Sequence, residues 1–398
     1  MQFVICKSKE KGSRMIYFDN AATTGKKPLG VIKAVNSAFY ELSANPGRGG
    51  HRASLKVAEA VFNVRKKVAA LFGAKGEENI IFTPSCTAAI NYTLKGILKP
   101  NDGLVISSLE HNSVTRPAET LKKSGVEVSV AEVIFGDKEA TVRSFERAIK
   151  PNTKVVLCTH ASNVTGEIMP IEAIGELCRK KGIIFVVDAA QTAGVLPIDV
   201  SKMNIDFLCI APHKGLYAPM GTGILIANKL IESPLIEGGT GVNSALSIQP
   251  DEYPERLESG TLNIPGIIGI GAGIDFINAK GIENIYKIEL ELAKYIYEGL
   301  KKISGCILYT PLPQYGSFVP VISFNIRGIT ASDTADLLDK ANIAVRAGLH
   351  CAPFAHKRLG TIENGTVRIS PAIFNTKKDV DALLSAVNSI SYKVKRRK

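Results

Sequence analysis

Short apolar runs recur through the first half of the chain, as in Asn79-Ile-Ile-Phe-Thr83, Gly103-Leu-Val-Ile-Ser107, Thr153–Thr159, Ile183–Asp188 and Asp206–Ile210. They do not alternate apolar with polar residues, so each predicts a strand buried on both faces. The stretches between them place apolar residues at helical spacing, for example Ile171-Glu-Ala-Ile-Gly-Glu-Leu-Cys-Arg-Lys180. Strands and helices in alternation predict an α/β fold, a mainly parallel sheet covered by helices. Near Ile264 the pattern changes. A long helical region runs to Lys302, strand-like Phe318–Asn325 follows, and helices come at Ser332–Lys340 and from Lys378. The expected division is a large domain over 15–265 and a smaller α+β C-terminal domain over 266–398, with no internal repeat. Residues 1–14 are polar and unpatterned, and Met15-Ile-Tyr-Phe-Asp-Asn-Ala-Ala-Thr-Thr24 reads as the opening of the fold. The alternatives are a loose extension or a true start at Met15.

At 398 residues, 45% hydrophobic and 22% charged, the chain fits a soluble globular protein of two domains. The longest apolar runs, such as Gly182–Val187, are far too short to span a bilayer, and the first residues lack a secretory pattern. Seven cysteines include no Cys-x-x-Cys pair, which argues against a disulfide framework or zinc knuckle. A cytoplasmic protein is expected. Lys and Arg outnumber Asp and Glu by 49 − 37 = 12, but the excess is spread along the chain and is dense only at Lys393–Lys398. That is the pattern of a solvated surface, so neither nucleic acid nor membrane is expected as a partner.

Sheets of this kind place ligands at the carboxyl ends of their strands. Three of those ends carry chemistry. After Asn79–Thr83 come Ser85-Cys86-Thr87 at the start of a helical pattern, where hydroxyls and free backbone N–H groups form an anion cup. Taken alone, simple N-capping explains that stretch as well. Ile183–Val187 delivers Asp188, with Gln191 just beyond. Asp206–Ile210 delivers His213-Lys214, a lysine whose amine burial would turn into a Schiff-base former. A phosphate cup, a deep carboxylate and a deep amine together suit pyridoxal phosphate.

With these residues in place, the sequence resembles the class V aminotransferases, and within them the cysteine desulfurases of the NifS/SufS type. The motifs are Tyr17–Thr24, Arg48-Gly-Gly-His51, Glu110-His111-Asn112, Ser162-Asn163, Asp188-Ala-Ala-Gln191, His213-Lys214, Glu258-Ser-Gly-Thr261 and Arg346-Ala-Gly-Leu-His-Cys351. The resemblance implies the fold type I architecture of pyridoxal phosphate-dependent transferases. It gives Lys214 the covalent link to the cofactor, His111 a place stacked on the ring and Asp188 the ring nitrogen. Gln191 and Asn163 fall near the ring hydroxyl and the substrate. Thr87, the Cys86 backbone and His213 correspond to phosphate contacts. Gly260 and Thr261 correspond to a segment that reaches the phosphate from the other subunit, which implies a homodimer. Arg368 corresponds to the arginine that grips the substrate carboxylate, and Arg346 lies on the substrate side. One departure stands out: Ala211 occupies a position where the family usually has serine or threonine, so Ser85, Thr87 or water would have to compensate.

Cys351 lies in Val345-Arg-Ala-Gly-Leu-His-Cys-Ala-Pro353, where Arg346 and His350 are close enough in sequence to favour a thiolate. Its family position makes it the catalytic cysteine of the small domain, taking sulfur from L-cysteine as a persulfide and leaving alanine. The sulfur would pass to an acceptor protein or a thiol, and iron–sulfur cluster assembly is one of its possible uses. Selenocysteine lyase, or a transaminase or epimerase of class V, is the alternative, and a transaminase would not need Cys351. A metal site at His350, Cys351 and His356 is not expected, because no fourth ligand is evident.

Overall fold

The computed structural model describes residues 14–47 and 50–396. Residues 1–13, and Arg48 and Gly49 of the Arg48–His51 motif, lie outside the described residues. The strands are β1 (Ile16–Tyr17), β2 (Ile80–Thr83), β3 (Gly103–Ser107), β4 (Glu127–Ala131), β5 (Thr153–Thr159), β6 (Ile184–Asp188), β7 (Phe207–Ile210) and β8 (Gly223–Ala227). Beyond them come β9 (Cys306–Leu308), β10 (Ile322–Ile326), β11 (Ile343–Ala344), β12 (Arg346–Gly348) and β13 (Thr366–Ile369). Helices α1 (Leu29–Glu41) and α2 (Arg52–Phe72) precede the large sheet, and α3 (Cys86–Ile97), α4 (Asn112–Lys123), α5 (Lys138–Ala148) and α6 (Ile171–Lys181) connect its strands. Then follow α7 (Ile264–Lys280), α8 (Ile282–Lys302), α9 (Ala331–Asp339), α10 (Pro353–Arg358) and α11 (Lys377–Lys395).

Seven strands form the large sheet in the order β2-β8-β7-β6-β5-β3-β4. All are parallel except β8, which runs antiparallel to both its neighbours. Strands β2, β3, β7 and β8 are buried throughout, as expected of strands covered on both faces. Local chemistry sets the helix ends. Ser85 and Asp137 cap α3 and α5 by accepting from backbone N–H groups, and Gly182 ends α6 with φ +68°.

The long helical region expected over 264–302 is two helices, because Gly281 at φ +79° breaks it. Helix α7 sends Ile264, Ile267, Ile270, Ile274 and Ile277 into the core of the large sheet, so the division at 265/266 falls inside this helix. Gly273 lets α7 approach the backbone of Leu216, where a Cβ would overlap the carbonyl. A second core joins α8, α11 and the antiparallel sheet β12-β13-β10-β9. The strand expected over Phe318–Asn325 starts only at Ile322, since Pro320 has no N–H for a ladder. The opening β1 pairs in parallel with β11, Ile16 opposite Ile343, so the first described strand belongs to the C-terminal sheet region. Among the described residues no helix is long and apolar enough to cross a membrane.

Candidate active site

A cavity of about 210 Å³ opens at the carboxyl ends of the parallel strands. All the residues expected from the sequence line it except Cys351, Gly260 and Thr261. Asp188 closes β6 and is buried; its Oδ1 accepts from Ala190 N at 2.9 Å and lies 3.6 Å from the Cys86 thiol. Lys214 follows β7 in a tight turn, with its N–H on Ala211 O and its carbonyl accepting from Thr24 Oγ1 at 2.7 Å. Burial lowers the pKa of the Lys214 amine, and Asp188 opposes the shift without cancelling it. Cys86 and Thr87 are the first two residues of α3, so their N–H groups are free of helix partners and point out of its N-terminus. The Ser85 hydroxyl is the cap of that helix, accepting from Ala88 N at 3.1 Å, which leaves Thr87 as the freer hydroxyl in the cavity that Ala211 also lines.

His111 caps α4, its Nδ1 accepting from Ser113 N at 3.0 Å, which leaves Nε2–H as its free donor when the ring is neutral. Burial pushes its pKa down to about 4, outweighing Asp188, so the ring is neutral near pH 7. Its neighbour Glu110 is fully buried and is pushed up to about 8; it accepts from Ser107 Oγ and Thr159 N and so fixes the ends of β3 and β5. Arg368, on β13, is 1% exposed and ion-pairs with Asp19 at 2.7 Å. It also donates to Asn163 O at 3.2 Å, while Asn163 Nδ2 donates to His350 O at 2.8 Å. Gln191 Nε2 donates to Ala21 O.

Cys351 is exposed on a tight turn beside this cavity, where Ala352 N donates to Leu349 O. Its Sγ lies 3.8 Å from Arg346 Nη2. The expected help from His350 is corrected. That ring is buried, its Nδ1 is 3.3 Å from His356 Nε2, and burial pushes it down to about 3, so it carries no charge to offer the thiol. Gly260 and Thr261 are exposed and away from the cavity. Their segment is anchored by buried Glu258, paired with Arg65 through both carboxylate oxygens at 2.9 and 2.5 Å. Among the described residues no group of three or more potential ligands is placed to hold a metal ion.

Residues 16–383 match the family described as aminotransferase class-V. The chain belongs to the class V aminotransferases. Class V relatives include the probable cysteine desulfurase of Pyrococcus abyssi, 37% identical over 94% of each chain, and that of Methanothermobacter thermautotrophicus, 34% identical over 94% of each. An apo cysteine desulfurase from Thermococcus onnurineus superposes with a TM-score of 0.86 at 35% identity, covering 95% of each chain. The cysteine desulfurase CsdA of Escherichia coli gives 0.84 at 29% identity, over 96% of this chain and 95% of its own. Together with the sheet topology, these show the fold type I architecture.

Class V aminotransferases depend on pyridoxal phosphate, and the residues present fit it. One cavity holds an amine of lowered pKa, a buried carboxylate and a helix N-terminus. His213 Nδ1 and Arg368 Nε are buried with no partner among the described residues, as donors or acceptors awaiting a polar ligand would be. Sequence reasoning did not single out Asp19 as the partner of Arg368, although it stands inside the Tyr17–Thr24 motif. It also missed Glu110 as a buried brace and Thr361 as the partner of His356.

Proposed function

We propose that this protein is a cysteine desulfurase whose nucleophile is Cys351. The observation that carries the reading is an exposed thiol 3.8 Å from Arg346 Nη2, at the mouth of a cavity holding Lys214, Asp188 and Arg368. When bound, pyridoxal phosphate supplies an electron sink for the charge left at the substrate Cα. Lys214, Asp188, His111, Gln191, His213, and the Cys86 and Thr87 N–H groups are the residues that hold it. Arg368, braced by Asp19, pairs with the substrate carboxylate, and Asn163 and Arg346 border the same space. The Lys214 amine takes the α-proton, a role helped by burial that favours its neutral form. Cys351 thiolate then attacks the sulfur of L-cysteine. An S–S bond forms, the Cβ–S bond breaks, and its electron pair stays on carbon; Cβ takes a proton from solvent, Cα regains one from the Lys214 ammonium, and the product leaves as alanine. The persulfide on Cys351 passes its outer sulfur to an acceptor thiol, on a small protein or a reductant.

A cytoplasmic homodimer completes the reading. The dimer is supported by the exposure of Gly260 and Thr261, and by exposed Leu246 and Ile248 on the neighbouring loop. The test is to incubate the protein and pyridoxal phosphate with L-cysteine and a thiol reductant, and to measure alanine and sulfide. Equal amounts of both are expected, lost in Cys351→Ser, with visible cofactor absorbance kept in that variant and lost in Lys214→Ala. Full cysteine turnover by Cys351→Ser refutes the nucleophile.

A further inference from the structure

The turn that presents Cys351 is held in an unusual backbone state. His350 and Cys351 both lie in the left-handed region, at φ +50° and +56°, and Ala352 N closes the turn onto Leu349 O at 2.8 Å. Two consecutive positive φ values suit glycine or asparagine, and neither residue here is one. Such a turn persists only where its surroundings over-determine it. What surrounds it is a buried column of side chains. His350 Nε2 is 3.3 Å from Arg346 O, and His350 Nδ1 is 3.3 Å from His356 Nε2. His356 Nδ1 lies 2.8 Å from Thr361 Oγ1, and the two rings meet edge to edge, centroids 5.5 Å apart with 18° between planes. His350, His356 and Thr361 are 3%, 0% and 4% exposed.

The proton order in this column is dictated from one end. A carbonyl only accepts, so His350 Nε2 carries the hydrogen that meets Arg346 O. In a neutral ring Nδ1 then accepts, so His356 Nε2 donates, its Nδ1 accepts, and Thr361 donates. Burial lowers the pKa of both rings, and Arg346 and Arg368 push His350 the same way. The column ends on the carbonyl of the residue whose guanidinium sits 3.8 Å from Cys351 Sγ, so it ties the turn to the strand carrying that arginine. The opposite side is fixed by Asn163 Nδ2 on His350 O and Asn112 N on Cys351 O, at 2.8 and 2.7 Å.

We propose that His350, His356 and Thr361 form a proton-ordered column that positions the Cys351 thiol for sulfur attack, with His356 and Thr361 acting through His350 as positioning residues. The proposal rests on the cysteine desulfurase reading. Thr361→Val keeps the shape and removes only the donor to His356, while His356→Leu cuts the column and His356→Gln retains an amide donor near the Nε2 position. In the holoenzyme, kcat for L-cysteine should fall about tenfold in Thr361→Val and further in His356→Leu, with KM within about twofold, and His356→Gln should recover most of the loss. Amide exchange in the peptide spanning residues 349–352 should quicken about tenfold in the first two variants. Unchanged kcat and unchanged exchange in Thr361→Val overturn the proposal, as does a KM effect without a kcat effect. If the wild-type protein makes no alanine from L-cysteine, the desulfurase reading fails, and the exchange arm still decides whether the column holds the turn.

Discussion

Replacing Glu258 by glutamine tests how strongly a buried ion pair anchors the segment that carries Gly260 and Thr261. Arg65 and Glu258 are 7% and 8% exposed, and Arg65 donates to both carboxylate oxygens. Oε1 also accepts from Phe82 N at 2.6 Å, and Arg65 reaches Ile80 O, so the pair is stitched to β2 at both ends. Every hydrogen-bond partner of the carboxylate is a donor. A glutamine amide nitrogen must therefore face either Arg65 or Phe82 N–H, and the guanidinium loses its counter-charge. Removing one partner of such a pair costs about 3–5 kcal/mol. The double change Arg65→Met with Glu258→Leu removes both charges but strands Phe82 N–H and Ile80 O, at about 1–3 kcal/mol each. It should therefore lose about as much as one single change, well short of the sum of two. The chain has no tryptophan, so far-ultraviolet circular dichroism in urea is the suitable assay. A loss below about 1 kcal/mol for Glu258→Gln would refute the reasoning, because it would mean that water reaches the pair.

Three further outcomes are expected. Burial pushes the Glu289 carboxyl up to about 8 in the folded protein, against 4.5 as the ordinary value. Between those values the folded chain holds a proton that the unfolded chain has released, so wild-type stability falls as pH rises from 4.5 through 8. Glu289→Gln should accordingly gain on the wild type across that window, and a constant difference would count against the shift. Ala211→Ser restores a hydroxyl to the cavity wall and should slow loss of pyridoxal phosphate on dialysis by about three- to tenfold; unchanged or faster loss would show that no phosphate oxygen lies within its reach. A Cβ on Gly223 would overlap Ser85 and Thr83, so Gly223→Ala should destabilise the protein by about 1–3 kcal/mol and weaken cofactor retention, both measurable by urea unfolding and absorbance.

The strands that build the cavity were legible because burial on both faces leaves an unbroken apolar run, as in β5 and β6. Edge strand β4 was not, since Glu127-Val-Ser-Val-Ala buries only its last residue and reads like a loop. Nothing in Ile224-Leu-Ile reveals that β8 is antiparallel; the direction follows from the path of the chain between Lys214 and Gly223. Lys214, Asp188 and the α3 N-terminus were readable for a shared reason, each being polar chemistry straight after a buried run. His350 was misread because adjacency to Cys351 says nothing of the side a ring takes, and two left-handed residues turn it inward. Asp19 escaped notice because its role depends on a partner 349 residues away.

That separation has a consequence for how the protein is made. Asp19 leaves the ribosome 349 residues ahead of Arg368, and strand β1 is likewise made long before Ile343, which it must meet. At about 5–20 residues per second the opening segment waits roughly 20–70 s for its partners. The wall of the cavity that Arg368 forms, braced by Asp19, is therefore completed only after the strand carrying Arg368 has been made. Loss of either segment, the one with Asp19 or the one with Arg368, undoes the same wall.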